Sequence, residues 1–305
     1  MTRTARPWVT AGLPPGAYDA LTDGLPASRL WSLLLEVAEA RAAGRRTADL
    51  VEQWERDRFV QPGVVDQRSL LEVDRLFLAA AASFESIELS PVAPLGVCSS
   101  MAHASQNKVL STLRGTEVVS DPTNVMALEC AGRLRRDRAT VVRLATSHRC
   151  VRAQEIPKGR GFTASFRLFC LATAGVERQN HAFVVEAVAE HITTMLHALD
   201  QLEQHGFAFP DRRITVLATE ERAALGDRIV AKVGWPAATR AVLDHPYYNG
   251  GLRFQIAARS SDGTEIPLAD GGVFDWVAKL ISNQRAVYVA SGFGSQLVPL
   301  LFRRP

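Results

Sequence analysis

Between two strand-like segments, 141–145 and 166–172, lies the run 152–160, Arg-Ala-Gln-Glu-Ile-Pro-Lys-Gly-Arg. It predicts an antiparallel hairpin that turns at Pro157-Lys158-Gly159 and carries two guanidiniums and an ammonium, Arg152, Arg160 and Lys158. Arginine's planar fork matches phosphate oxygens, so such a ribbon is a device for holding a polyphosphate. The same run also reads as an ordinary surface hairpin with solvated charges. Its sequence alone leaves both readings open.

The rest of the chain alternates striped helices with short strands. Residues 1–26, rich in Pro and Gly, read as an irregular lead-in. Ser28 is placed to cap a helix to about Ala43, with Leu30, Leu34 and Val37 on one face and Gly44 as its stop. A second helix is predicted over 47–58, before Pro62-Gly63 breaks the chain. From Asp66 a stronger amphipathic helix aligns Leu70, Val73, Phe77 and Ala80, and leads into 86–91, an alternating strand closed by Pro91. Residues 116–120 predict a strand. Asp121-Pro122-Thr123-Asn124 then opens a helix to about Arg136, with Asp121 as cap and proline in the first turn. The segment 180–204 carries Val184, Val188, Ile192, Leu196 and Leu199 on one stripe and stops at Gly206. Strands at 214–218, 252–258 and 264–268, a helix at 274–281 and a strand at 286–290 complete the pattern; Ser260-Ser261-Asp262-Gly263 joins two of the strands as a hairpin turn. Long helices interspersed with antiparallel hairpins predict an α+β fold, one central antiparallel sheet with helices packed on it.

With 305 residues the chain can bury a large core, as one domain or two. A net charge of +3 is too small to argue for nucleic acid, and the cluster Arg133, Arg135, Arg136 and Arg138 reads as a solvated helix end. The four cysteines (Cys98, Cys130, Cys150, Cys170) form no Cys-x-x-Cys pair, which argues against a zinc ribbon or disulfide framework and fits a reducing cytosol. A zinc site assembled from distant strands is the alternative reading of these thiols; the reading adopted is no metal. No signal-peptide plan and no apolar run of spanning length is apparent, so a cytoplasmic protein without a membrane partner is expected.

Four segments, in order, resemble those of the histidyl branch of class II aminoacyl-tRNA synthetases, with which the regulatory subunit of ATP phosphoribosyltransferase is grouped. Asp121-Pro122-Thr123-Asn124 is similar to the Arg-Pro-Glu-x-Thr segment whose acid receives the substrate amine. The 152–160 hairpin resembles motif 2. Pro246-Tyr247-Tyr248-Asn249-Gly250-Gly251 resembles the Tyr-Tyr-Thr-Gly signature. Asp270-Gly271-Gly272-Val273-Phe274-Asp275, followed by Gly292-Phe293-Gly294-Ser295-Gln296-Leu297, resembles the Gly-Gly-Arg-Tyr-Asp segment and motif 3. The helix from Asp66 and the strand ending at Pro91 have the order of motif 1, the dimer element. The resemblance implies a class II synthetase-like catalytic-type domain over 66–305, behind a helical N-terminal extension over 1–65. It implies ATP as cofactor, with Mg2+, held by Arg152, Gln154, Lys158, Arg160, Phe162, Gly292 and Gly294. It places an amino acid against Asp121, Thr123, Tyr247, Tyr248, Asn249 and Gly272, and gives Arg152 the catalytic role at the α-phosphate.

The departures are as informative. Gln154 stands in place of a glutamate, Leu168 in place of a glutamine, and Pro299 falls in the turn of helix that carries the motif 3 arginine. The arginine before the tyrosine pair is replaced by Leu243-Asp244-His245. Positioned cations are the main lever in adenylate formation, so losing them costs several kcal/mol of transition-state stabilisation on the usual scale for such groups. The sequence also stops without an anticodon-binding domain, so no tRNA partner is expected. Three functions follow: a stand-alone ligase that activates an amino acid for a carrier protein or small molecule, a catalytically silent relative that regulates a partner enzyme, or a binding or structural protein outside this superfamily; the resemblance also implies a homodimer.

Overall fold

The computed structural model describes residues 7–156 and 161–304. Short helical turns at Pro7–Thr10 and 17–24 break up the lead-in read as irregular, and helices α1 (Ala27–Ala43) and α2 (Thr47–Arg56) follow; none of these segments buries a residue. Helix α1 starts one residue before the predicted cap. Pro26 precedes it and no side chain caps it, because proline's extended backbone leads directly into the first turn. Val37, aligned above for a buried face, is 49% exposed. Contacts that tie this region to the remainder include Trp31 over Gly115, Arg58 Nη2 donating to the Ala153 carbonyl, and Gly63 against the Arg149 guanidinium.

From helix α3 (Gln67–Ala80) onward the chain builds a core. Asp66 caps α3 by accepting from Ser69 N, and Leu70, Val73, Leu76 and Phe77 are buried. The remaining elements are β1 (Glu85–Ser86), β2 (Val92–Pro94), β3 (Thr116–Val118), α4 (Pro122–Arg136), β4 (Val142–Val151), β5 (Ser165–Val176), α5 (Ala182–Glu203), β6 (Arg213–Ala218), α6 (Ala223–Val233), β7 (Ala238–Val242), β8 (Leu252–Arg259), β9 (Glu265–Phe274), α7 (Trp276–Leu280), β10 (Ala286–Phe293) and α8 (Leu297–Leu301).

Eight strands form one sheet in the order β1-β4-β5-β10-β9-β8-β6-β7. The inner six pair antiparallel, and only the outermost strands, β1 and β7, pair parallel with their neighbours. The α+β expectation of a central antiparallel sheet flanked by helices holds. Three elements escaped the sequence: β2, and α6 and β7, which with β6 make a parallel crossover at the sheet edge. The strand expected over 86–91 shrinks to Glu85–Ser86. After Ile87 N bonds the Ala145 carbonyl, the chain leaves β4. Val119 N reaches the Pro91 carbonyl, drawing the segment into the small β2–β3 ribbon.

Helices cover both faces. On one, α3 and α5 pack on the sheet, with Phe77 set between Phe169 and Phe293 at centroid distances of 4.8 and 4.6 Å. On the other, α4 and α7 bury Met126, Cys130, Leu134, Trp276 and Tyr288. The helical segment Gln179–Glu203 is long and apolar enough to cross a membrane by length and composition, yet 72% of its most apolar window is buried in the fold. It is the core helix. All four cysteines are free and buried.

Inside α5, His191 is fully buried. Its Nε2 lies 3.0 Å from Thr173 Oγ1 and its Nδ1 lies 2.9 Å from Ser291 Oγ. Burial pulls its pKa down from 6.5 to about 3, so the folded chain keeps it neutral. Above pH 6.5 both folded and unfolded chains carry a neutral ring. Below it the unfolded chain takes up a proton that the folded chain refuses, so stability falls with pH until the folded pKa is reached. Between pH 7 and 5 this group alone costs about 2 kcal/mol. Buried His148, also shifted down by burial, acts in the same direction. Urea unfolding of the wild type is expected to show this loss and His191→Gln a clearly shallower one; equal pH slopes would contradict the assignment.

Candidate functional site

At one end of the sheet, on the α4 side, a cavity of about 850 Å3 opens between the β4–β5 hairpin, the start of α4, the 245–249 turn and the ends of β9 and β10. That size suits a small-molecule ligand. Gly161, φ +72°, passes close against α8: a Cβ there would sit 2.5 Å from Leu300 Cδ1.

Arg152 follows β4 directly, and its backbone N–H continues the ladder to the Ala164 carbonyl. Its guanidinium lies over the Phe166 ring, 5.1 Å from the centroid, donates to the Ser120 carbonyl at 2.8 Å and meets Asp121 Oδ2 at 3.3 Å. The other Asp121 oxygen accepts from Thr123 N at 3.1 Å and Thr123 Oγ1 at 2.7 Å, capping α4. Helix cap and ion-pair partner are therefore the same carboxylate. Thr123 reaches the cavity chiefly by orienting Asp121. Gln154 and Phe162 are exposed on the wall beyond Arg152. Lys158 and Arg160 lie outside the described residues.

Tyr247 lines the cavity half-buried, packed edge-on against Tyr248, Phe274 and Trp276, and burial raises its hydroxyl pKa. Tyr248 is committed elsewhere: its hydroxyl donates to Asp270 Oδ1 at 2.6 Å while Arg253 clamps the same carboxylate at 3.0 and 2.5 Å. Burial, then the Asp270 charge, raises the Tyr248 pKa. Asn249 stands on the rim with both ends of its amide bound to Asp275, where it pins the entry to α7. Gly272 is not on the cavity wall. It lies beneath Tyr248, and a Cβ there would reach 2.6 Å from the ring and collide with the Leu252 carbonyl. Gly292 and Gly294 do line the cavity.

Several wall residues escaped the sequence reading. Cys98, His103 and Lys108 come from the 95–110 loop, which has no periodicity to mark it. Asn124 and Gln296 are buried on the wall, each with an oxygen lacking any partner among the described residues. Asp270 was legible only as part of a glycine-rich segment. Of the wall cations, Arg152 is paired with Asp121 and Arg167 with Asp74 at 3.2 Å. His245 accepts from Tyr247 N, and Arg253, clamped on Asp270, is no substitute for a missing phosphate ligand. Both wall carboxylates, Asp121 and Asp270, are bound by guanidiniums, so the described wall leaves Mg2+ no carboxylate of its own. Among the described residues no three His, Cys, Asp or Glu side chains converge as a metal site.

No family model matches the sequence, and no curated protein is significantly similar to it. Solved structures are similar in fold. One is an ATP phosphoribosyltransferase regulatory subunit/histidyl-tRNA synthetase from Bacillus halodurans, superposing with a TM-score of 0.61 at 13% identity over 79% of this chain and 82% of that one. The chain has the class II synthetase-like fold. A histidine–tRNA ligase subunit from Alicyclobacillus acidocaldarius matches this synthetase-like chain with a TM-score of 0.57 at 15% identity, over 79% of it and 96% of the relative. Histidyl-tRNA synthetase from S. aureus matches with a TM-score of 0.54 at 10% identity, and 62% of that longer chain is covered.

The two glycine environments predict opposite outcomes in this synthetase-like domain. Gly272→Ala forces its methyl into backbone and ring and should cost about 1–3 kcal/mol, the usual range for overpacking. Gly292→Ala meets only Cys170 Sγ, at 3.6 Å, and should leave the unfolding midpoint nearly unchanged. Thermal denaturation of both variants checks this; equal stability would show that Gly272 is not a packing position.

Proposed function

We propose that the cavity binds an amino acid or a similar zwitterion, and that the chain uses ATP to activate it as an aminoacyl adenylate for a non-tRNA acceptor, such as a carrier protein or small molecule. The observation that carries this reading is the opposed pair on the wall, Arg152 and Asp121, 3.3 Å apart. A ligand bearing an ammonium and an anionic group exchanges with such a pair charge for charge: the amine takes the place of the guanidinium at Asp121 Oδ2, and the anion is received by Arg152. In the reaction the amino-acid carboxylate oxygen attacks the α-phosphorus of ATP, the bond to the β-phosphate oxygen breaks, and pyrophosphate leaves. Arg152 holds the α-phosphate, Lys158 and Arg160 the outer phosphates, and Tyr247 a side of the substrate pocket. The acyl group then passes to the acceptor with release of AMP. We place this chemistry in the cytoplasm, in a homodimer.

A second reading has its own support. Pro299 lies within α8, Leu168 faces the cavity, and both carboxylates on the described wall are already clamped. These features favour a protein that keeps the pocket and acts on a partner enzyme, as the name of the Bacillus halodurans relative describes for that protein.

Amino-acid-dependent exchange of labelled pyrophosphate into ATP separates the two. The ligase gives exchange with at least one amino acid, and Arg152→Ala lowers it by about 10²–10³-fold, the scale for removing one transition-state donor. Exchange undiminished in that variant means Arg152 does not serve the α-phosphate. No exchange with any amino acid, together with activation of a copurifying enzyme, selects the regulatory reading.

A further inference from the structure

His245 opens the turn that carries the paired tyrosines, is exposed, and lines the cavity. The backbone decides its tautomer. Tyr247 N can only donate, and it donates to His245 Nδ1 at 3.2 Å, so Nδ1 accepts and the neutral ring carries its proton on Nε2. Among the described residues nothing accepts from Nε2. The ring is also held in place. It stands edge-on to Tyr247 and Tyr248, with centroids 6.4 and 6.1 Å away, and Tyr248 N bonds the His245 carbonyl at 3.4 Å. With Nδ1 tied to its own turn, the other nitrogen is a fixed donor offered to whatever fills the cavity.

This donor stands close to the Asp121–Arg152 pair. Burial and then the Asp121 charge raise the Tyr247 hydroxyl pKa, with Arg152 acting the other way, so both charges reach that hydroxyl; His245 packs against the same tyrosine. An amino acid held by its amine at Asp121 and by its carboxylate at Arg152 has only its side chain left to meet His245. We propose that His245 is a specificity residue of the cavity, its Nε2–H donating to a carbonyl oxygen at the end of the substrate side chain, as an amide or a carboxylate provides. The inference rests on the amino-acid reading above and adds the substrate class: asparagine, glutamine, aspartate, glutamate or a close analogue.

Two measurements on the full chain test it. Long-range proton–nitrogen NMR at about pH 8, where an ordinary imidazole is neutral, should show His245 as the Nε2–H tautomer. A ring protonated on Nδ1 overturns the proposal. Calorimetric titration with the proteinogenic amino acids, and with norvaline and norleucine as apolar controls, reads the specificity. At least one of the four named amino acids should bind about 5-fold or more tighter than both controls, the scale of one hydrogen bond. A preference for the amides or for the acids identifies which carbonyl is read, and either result keeps the proposal. His245→Asn leaves an acceptor for Tyr247 N but no donor at the Nε2 position, and should bring the ratio near one. His245→Gln, whose amide nitrogen reaches that position, should retain part of the preference. A preference that survives His245→Asn, or tightest binding of an amino acid without a side-chain carbonyl, removes His245 alone. If no amino acid binds, the amino-acid reading itself fails and the role of His245 falls with it.

Discussion

The Asp121 carboxylate is the joint on which the site depends. One oxygen ends a helix by accepting from Thr123, and the other holds the guanidinium at the foot of the hairpin. A carboxylate that accepts several hydrogen bonds at a helix N-terminus is held in one rotamer by the amides and the macrodipole together. Arg152 therefore meets a fixed partner, and its own position is set again by the Ser120 carbonyl and the Phe166 ring. At this end of the cavity the Arg152 guanidinium is thus positioned by three neighbours, the Asp121 carboxylate, the Ser120 carbonyl and the Phe166 ring.

Pairing recurs across the wall and shapes what the pocket can do. Asp270 is held by Tyr248 and Arg253, Arg167 by Asp74, and Asn249 by Asp275. Charge on the described wall is thus largely neutralised from within. Among the described residues, the wall groups without a side-chain partner include the Tyr247 hydroxyl and Lys108. Such a surface selects ligands by matched hydrogen bonds more than by net charge.

Much of the architecture was written in local pattern. The stripe on α5, the cap and proline that open α4, and the ribbon around residue 152 each follow from rules that act over a few residues, and each appears where those rules put it. The misses have different causes. Helix α6 carries an apolar stripe through Leu225 and Ile229 that the sequence reading passed over, β7 is a five-residue strand at the sheet edge, and the 86–91 segment is drawn away from β4 by the Pro91 carbonyl, a contact made across sequence. In the site, residue types were readable but partners were not. The sequence offers Asp121 and Arg152 as two separate ligand contacts, while the fold joins them. It offers the pair of tyrosines as equals, while the fold spends Tyr248 on Asp270 and leaves Tyr247 on the wall. Gly272 reads as a pocket glycine and proves to be the space under a ring.

The sheet order carries one more consequence. Strand β10, the latest in the sequence, lies in the middle, between β5 and β9. The strands made earlier form two separate sets, β1-β4-β5 and β9-β8-β6-β7, and nothing but β10 joins them edge to edge. Each set keeps an unpaired inner edge until β10 pairs with both. Closing the sheet thus depends on pairing strands far apart in sequence, Ala290 with Ala172, the kind of non-local contact that makes loop closure costly.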